Sequence, residues 1–215
     1  RQVRRAADLI MQAQRPLVYG GGGIVLGDAS PEFREFVWKT QIPTTVTLMG
    51  LGALPETDPL ALKMPGMHGS RAANYAFQDC DLIIAVGSRF DDRVTGKLEK
   101  FAPNAKIIHI DVDPSAISKN VQVDVPIVGH VKRVLPLLTE MVDKTDIDTW
   151  RHQCANWKER YPFRYEPKPD IIMPQQVIEE IWEITRGDAI LTTDVGQHQM
   201  WAGQHYQHVE PRSEE

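Results

Sequence analysis

The 215-residue chain is 42% hydrophobic and 25% charged, an ordinary composition for a globular protein able to bury a sizeable core. Its net charge of −5 and scattered basic residues argue against nucleic acid or an anionic membrane as partner, and no apolar run approaches the ~20 residues that cross a bilayer. Cys80 and Cys154 have no metal-like spacing and suit a reducing, cytoplasmic setting.

Val3, Ala6, Ala7, Ile10 and Met11 recur at helical spacing, which predicts an amphipathic helix over 2–14, and no secretory signal is visible in it. Leu17 to Tyr19 reads as a short strand running into Gly20 to Gly23, whose backbone N–H groups can approach a phosphate or ring, a plain tight turn being the alternative. The glycine spacing departs from the dinucleotide fingerprint, since the last position is Val25. Ser30-Pro31 reads as an N-cap with Pro at the first helical position, and Phe33, Phe36 and Val37 mark the buried face. Ile42 to Thr47 is a β-branched strand, followed by a loop over 58–69 that carries Met64, Met67 and His68. Ser70 to Gln78 reads as a helix with Ala72, Ala73, Ala76 and Phe77 inward.

Everything else is organised around Asp81 to Gly96. Leu82 to Val86 is an unbroken apolar run, suited to a strand buried on both faces of a parallel sheet. It ends at Gly87 and passes at once into Ser88, Arg89, Asp91, Asp92 and Arg93, where ligands of open α/β sheets bind. A solvated loop with local Arg–Asp pairs is the plain alternative. Lys106 to Ile110 is the next strand, with Asp111 placed to take a ribose hydroxyl and Asp113-Pro114 read as a helix cap. Asp124 to Val128 is a last short strand, ending at Gly129-His130, and a closing helix runs from Val131 to Val142 with Pro136 kinking it or marking its start.

Trp150, Cys154, Trp157 and Tyr161 form a helical stripe, and Pro162 to Pro174 holds four prolines and reads as an extended linker. A helix from Pro174 turns Val177, Ile178, Ile181 and Trp182 inward, and a strand is expected over Ala189 to Thr193. The fold class is therefore α/β, a doubly wound parallel sheet over 1–145, a helix and linker over 146–173, and the incomplete start of a second α/β domain over 174–215. With no initial Met and an unfinished unit at Val209 to Glu215, the expectation is a piece of a longer polypeptide.

Gly66-Met-His-Gly69, Gly87-Ser-Arg-Phe-Asp-Asp-Arg-Val-Thr-Gly96, His109-Ile-Asp-Val-Asp-Pro114 and Thr193-Asp-Val-Gly-Gln-His-Gln-Met-Trp201 together resemble the acetohydroxyacid synthase family. The resemblance implies a thiamine-diphosphate enzyme that condenses two 2-keto acids with loss of carbon dioxide. It implies a largely structural FAD, Mg2+ ligands beyond this chain, a homo-oligomer and a small regulatory subunit. Motif by motif, it implies that Gly21, Gly22, Gly23, Thr47, Leu48, Met67, His68, Gly87, Arg89, Asp91, Arg93, Val94, Asp111, Val112, Gly129 and His130 line the FAD. Val195, Gly196, Gln197 and His198 match the segment that meets thiamine diphosphate, and Arg93, Met67 and Asp92 match the mouth of the active site, with Arg93 toward the acceptor carboxylate. The family's usual Gly-Asp is Gly129-His130 here, a departure at the adenine end. No metal site is expected, since His198, His205 and His208 lack an accompanying acid or cysteine. The fragment alone is expected to be inactive. Pyruvate oxidase, glyoxylate carboligase and a stand-alone nucleotide-binding module are the alternatives.

Overall fold

The structure, a computed structural model, describes residues 1–211. Its centre is a five-stranded, wholly parallel sheet in the order β2-β1-β3-β4-β5, formed by Pro16–Gly20 (β1), Thr44–Val46 (β2), Leu82–Val86 (β3), Lys106–Asp111 (β4) and Val125–Val128 (β5). Every residue of β1 and β3 is buried, as expected of central strands covered on both faces. The helices are Gln2–Gln12 (α1), Gly22–Leu26 (α2), Ser30–Thr40 (α3), Arg71–Asp79 (α4), Asp92–Thr95 (α5), Val131–Glu140 (α6), Asp148–Arg160 (α7), Pro174–Thr185 (α8) and Gln197–His205 (α9). α3 and α1 pack on α6, while α4 packs on α7. The doubly wound parallel sheet is thus present.

Several elements differ locally from the sequence pattern. α1 stops at Gln12. Ser30 is the first helical residue and not the cap, a position held by Ala29 without a side-chain acceptor. β2 keeps only Thr44–Val46. Thr44 pairs outward with the 58–69 loop, through Thr44 N–H to Leu60 O at 2.9 Å and Leu62 N–H to Thr44 O at 2.8 Å. That loop covers what would otherwise be an open edge. No helix starts at Pro114; Asp113 instead closes a turn, accepting from Ser115 N and Oγ at 2.8 Å each. α6 begins at Val131 and runs through Pro136. Ser70 does cap α4, accepting from Ala73 N at 3.0 Å, and Ala72, Ala73, Ala76 and Phe77 are buried as the periodicity requires.

The C-terminal end follows the sequence pattern only in part. None of α8's residues is fully buried, but Ile178, Ile181 and Trp182 are half-buried where α8 packs on α9, and Trp182 Nε1 donates to Gln207 O at 3.0 Å; Val177 is exposed. Ala189 to Thr193 is not a strand. Only Leu191 makes an isolated bridge there, and β-branched composition alone does not supply the run of pairings that a strand needs.

The C-terminal segment docks on the sheet domain through specific bonds. Arg34 donates to Gly52 O (2.9 Å), Ala53 O (3.0 Å) and Val209 O (3.1 Å). Glu56 and His208 exchange two bonds, Glu56 N–H to His208 O at 2.9 Å and His208 N–H to Glu56 Oε2 at 3.0 Å. Burial, with nearby Lys63 second, pulls the His208 imidazole from 6.5 to about 4, while burial pushes the Glu56 carboxyl up against the opposing pull of Lys63. The unfolded chain therefore takes a proton on His208 below pH 6.5 that the folded chain refuses until about pH 4. His208 docking is at full strength above that window and is lost as pH falls through it. Replacing His208 by Phe should make thermal stability fall less on acidification from pH 6.5 to 4; parallel pH profiles for the two proteins would contradict this.

Candidate functional site

In the order β2-β1-β3-β4-β5 the chain reverses direction across the sheet between β1 and β3, and open α/β sheets bind ligands beyond the carboxyl ends of the strands at such a point. A cleft of about 1270 Å³ lies there. Gly21 to Gly23 follow β1, Gly87 to Asp91 follow β3, Asp111 ends β4 and Val112 follows it, and all of these except Phe90 line the cleft.

The glycines do something other than leave free N–H groups. Gly21 N–H donates to Val86 O and Gly23 N–H to Gly87 O, both at 2.9 Å, so the two loops at the switch point are bonded backbone to backbone. A Cβ on Gly21 would stand 2.3 Å from Gly87 O, and Gly87 itself needs a φ of +55°. Absent side chains thus keep the floor of the cleft low.

The opposite wall comes from Thr47, Leu48, Met67, His68, Arg93 and Val94. Met49 and Met67 are 71% and 72% exposed there, flexible apolar surface of the kind that adapts to a planar ligand. Gly66 N–H donates to Asn74 Oδ1 at 2.9 Å, Asn74 Nδ2 donates back to Gly66 O at 2.9 Å, and Met67 N–H donates to Arg93 O at 3.3 Å. The Met67 loop and the Arg93 helix are therefore tied together. At the third edge stand Val195, Gly196 and Gln197, with Gln199 and Met200. Gln204 Nε2 donates to His68 O at 2.8 Å, holding α9 against the same loop.

Arg89 forms a 3.2 Å pair with Asp91, both well exposed, so the pair is weak and easily exchanged for an anion. Arg93 has no carboxylate partner among the described residues, so the expected alternative of an Arg93–Asp91 or Arg93–Asp92 pair does not occur. Asp111 gives one oxygen to Asp113 N–H (2.9 Å) and keeps the other 3.8 Å from His109 Nε2. Four residues expected at the site are not brought into the cleft. Gly129 and His130 follow β5, with His130 at the N-cap of α6; Asp92 opens α5; and His198 is exposed on α9. Among the described residues no group of three or more His, Cys, Asp and Glu could hold a metal ion, and no helix is long and apolar enough to cross a membrane.

Sequence reasoning missed Tyr19, Leu26 and Met49, which line the cleft, and His109 beneath it. Burial raises the Tyr19 phenol, so Tyr19 is an O–H donor, and burial lowers the His109 imidazole, so His109 is neutral. The available signal was a polar atom inside an apolar strand, Tyr19 in Leu-Val-Tyr and His109 in Ile-Ile-His-Ile; such an atom needs a partner.

A glycine-floored cleft at the switch point of a parallel sheet, with arginines on one side and a strand-end acid on another, stands where open α/β domains bind their ligands. Residues 3–138 match the family of the thiamine pyrophosphate enzyme central domain, and the chain belongs to that family. It is 44% identical over 217 residues to the acetolactate synthase large subunit of Haemophilus influenzae, covering 98% of this chain and 38% of that protein. It is 43% identical to the acetolactate synthase isozyme 2 large subunit of Escherichia coli (99% and 38%) and 47% identical to the acetolactate synthase of Mycobacterium bovis (99% and 36%). The chain thus spans less than two-fifths of the length of these relatives.

Proposed function

We propose that the chain is the flavin-holding middle domain (1–145), a connecting helix and linker (146–173) and the start of the thiamine-diphosphate-binding domain (174–215) of an acetolactate synthase large subunit. The whole enzyme condenses two pyruvates, or pyruvate and 2-ketobutyrate, with loss of carbon dioxide. It does so in the cytoplasm, on the way to branched-chain amino acids. It works as a homo-oligomer with a small regulatory subunit and carries FAD, thiamine diphosphate and Mg2+, the metal's ligands lying beyond this chain.

The observation that carries this reading is that one cleft gathers both sets of residues, Gly21 to Gly23, Arg89 and Asp111 on one side and Val195 to Gln197 on the other. Its size exceeds the roughly 300–1,000 Å³ of ordinary small-molecule sites, as a dinucleotide requires. The close glycine floor admits a flat ring, the Arg89 guanidinium suits a pyrophosphate, and Asp111 has an oxygen left for a hydroxyl. Thiamine diphosphate, when bound, supplies the nucleophilic carbon of the reaction. The chain's own part is binding and orientation: Arg93, without a carboxylate partner, receives the carboxylate of the second keto acid in a planar, two-bond fork.

The test is the full-length protein assayed with pyruvate, with and without thiamine diphosphate; no acetolactate in the complete mixture would refute the reading. Within that assay Arg93→Lys keeps the charge and loses the fork. Acetolactate formation should fall about tenfold, on the order of 1.4 kcal/mol, while carbon dioxide release from the first pyruvate persists and free acetaldehyde accumulates. Equal loss of both steps would remove the acceptor-carboxylate role from Arg93.

A further inference from the structure

Three consecutive carbonyls beneath the cleft, those of Ser88, Arg89 and Phe90, each accept a hydrogen bond from a side chain of a different element. His109 on β4 reaches Ser88 O from Nε2 at 2.9 Å. Tyr19 on β1 donates its hydroxyl to Arg89 O at 3.1 Å. Asn120, in the loop between β4 and β5, donates Nδ2 to Phe90 O at 2.7 Å. Ser88 Oγ closes the arrangement on Tyr19 O at 3.1 Å. A carbonyl can only accept, so the buried His109 carries its proton on Nε2, and its Nδ1 has no hydrogen-bond partner among the described residues. A buried histidine that leaves one nitrogen unpaired is kept for the bond the other makes. The Arg89 side chain, 76% exposed and paired only with Asp91, does little to fix its own place. Its direction is set by the backbone it grows from.

We propose that His109, Tyr19 and Asn120 are positioning residues that lock the backbone of Ser88 to Phe90 and so aim Arg89 at an anionic phosphate group in the cleft. The inference rests on the flavin reading of that cleft, the anion being the FAD pyrophosphate.

FAD dissociation constants of the full-length apoprotein, followed by flavin fluorescence, test it, with thiamine diphosphate affinity measured in parallel. Tyr19→Phe removes one oxygen and leaves the rings of Phe77 and Phe90 packed on it. His109→Leu removes the donor, and His109→Gln places an amide N–H near the position of Nε2. Tyr19→Phe and His109→Leu should each weaken FAD about tenfold, and His109→Gln should stay within about threefold of wild type. Thiamine diphosphate affinity should hold. On an Arg89→Ala background the same substitutions should add little, because the group they aim is gone. Full additivity with Arg89→Ala, or unchanged FAD affinity in the variants of a protein that binds FAD, overturns the positioning role. A wild-type protein that binds no FAD overturns the flavin reading, a failure visible before any substitution is made.

Discussion

Gly21→Ala is expected to empty the cleft of flavin and to destabilise the chain by about 3 kcal/mol. A methyl group at residue 21 would stand 2.3 Å from Gly87 O and 2.5 Å from Ser88 Cα. Both are backbone atoms that cannot swing aside. Relief requires the β1 and β3 loops to part, which breaks the 2.9 Å bonds from Gly21 N–H to Val86 O and from Gly23 N–H to Gly87 O. The same movement displaces Ser88 and with it Arg89. Gly203→Ala is the control. It lies on α9, and its added methyl would meet only the flexible ends of Leu48, Met64 and Leu51 at 3.4–3.9 Å. Alanine there should be neutral or mildly stabilising, since glycine inside a helix costs up to ~1 kcal/mol. Denaturant unfolding and retained flavin after gel filtration read both effects. A Gly21→Ala protein with wild-type midpoint and full flavin would show that the loops have slack that the backbone distances deny.

The strands β1, β3 and β4 were legible because each is a mainly apolar run ended by glycine or an acid, unbroken in β3 and carrying one polar atom in β1 (Tyr19) and β4 (His109). The order of the strands, and therefore the switch point, was implied by alternating strands and helices. Most of the cleft followed from residues at strand ends, Gly87, Arg89 and Asp111 among them. What could not be read locally is what depends on a distant partner. The glycine run pointed to free N–H groups, yet two of them are used by Val86 and Gly87, more than sixty positions away in the chain. Tyr19 and Arg89 are 70 residues apart, and Asn120 and Phe90 are 30 apart. Ala189 to Thr193 has strand composition, but composition supplies no neighbour, and pairing is what makes a strand. The α8 stripe was legible as amphipathic; whether anything covers such a face is a tertiary fact. Asp113-Pro114 carries the signature of a helix start, and Ser115 captures the carboxylate for a turn instead.

Trp150→Ala should cost about 3–5 kcal/mol, more than any other single truncation considered above. Trp150 is 2% exposed on α7, and it ties this helix to the beginning of the sheet by a hydrogen bond, Nε1 to Pro16 O at 2.8 Å. Its ring meets Trp157 edge-on at 5.8 Å, and Trp157 in turn lies against Tyr75 of α4. Removing the indole therefore opens a cavity under β1 and leaves a buried carbonyl without its donor. Trp150→Phe separates the two costs. It keeps most of the packing and loses only the N–H, so about 1–3 kcal/mol should go with the unsatisfied Pro16 carbonyl. Urea unfolding followed by circular dichroism, with the slope unchanged between proteins, gives both values. The midpoint should fall in the order wild type, Phe, Ala. If Phe and Ala fall equally, the hydrogen bond to Pro16 rather than the filled volume holds α7 to the sheet. If Phe matches wild type, the bond contributes nothing and packing alone does so.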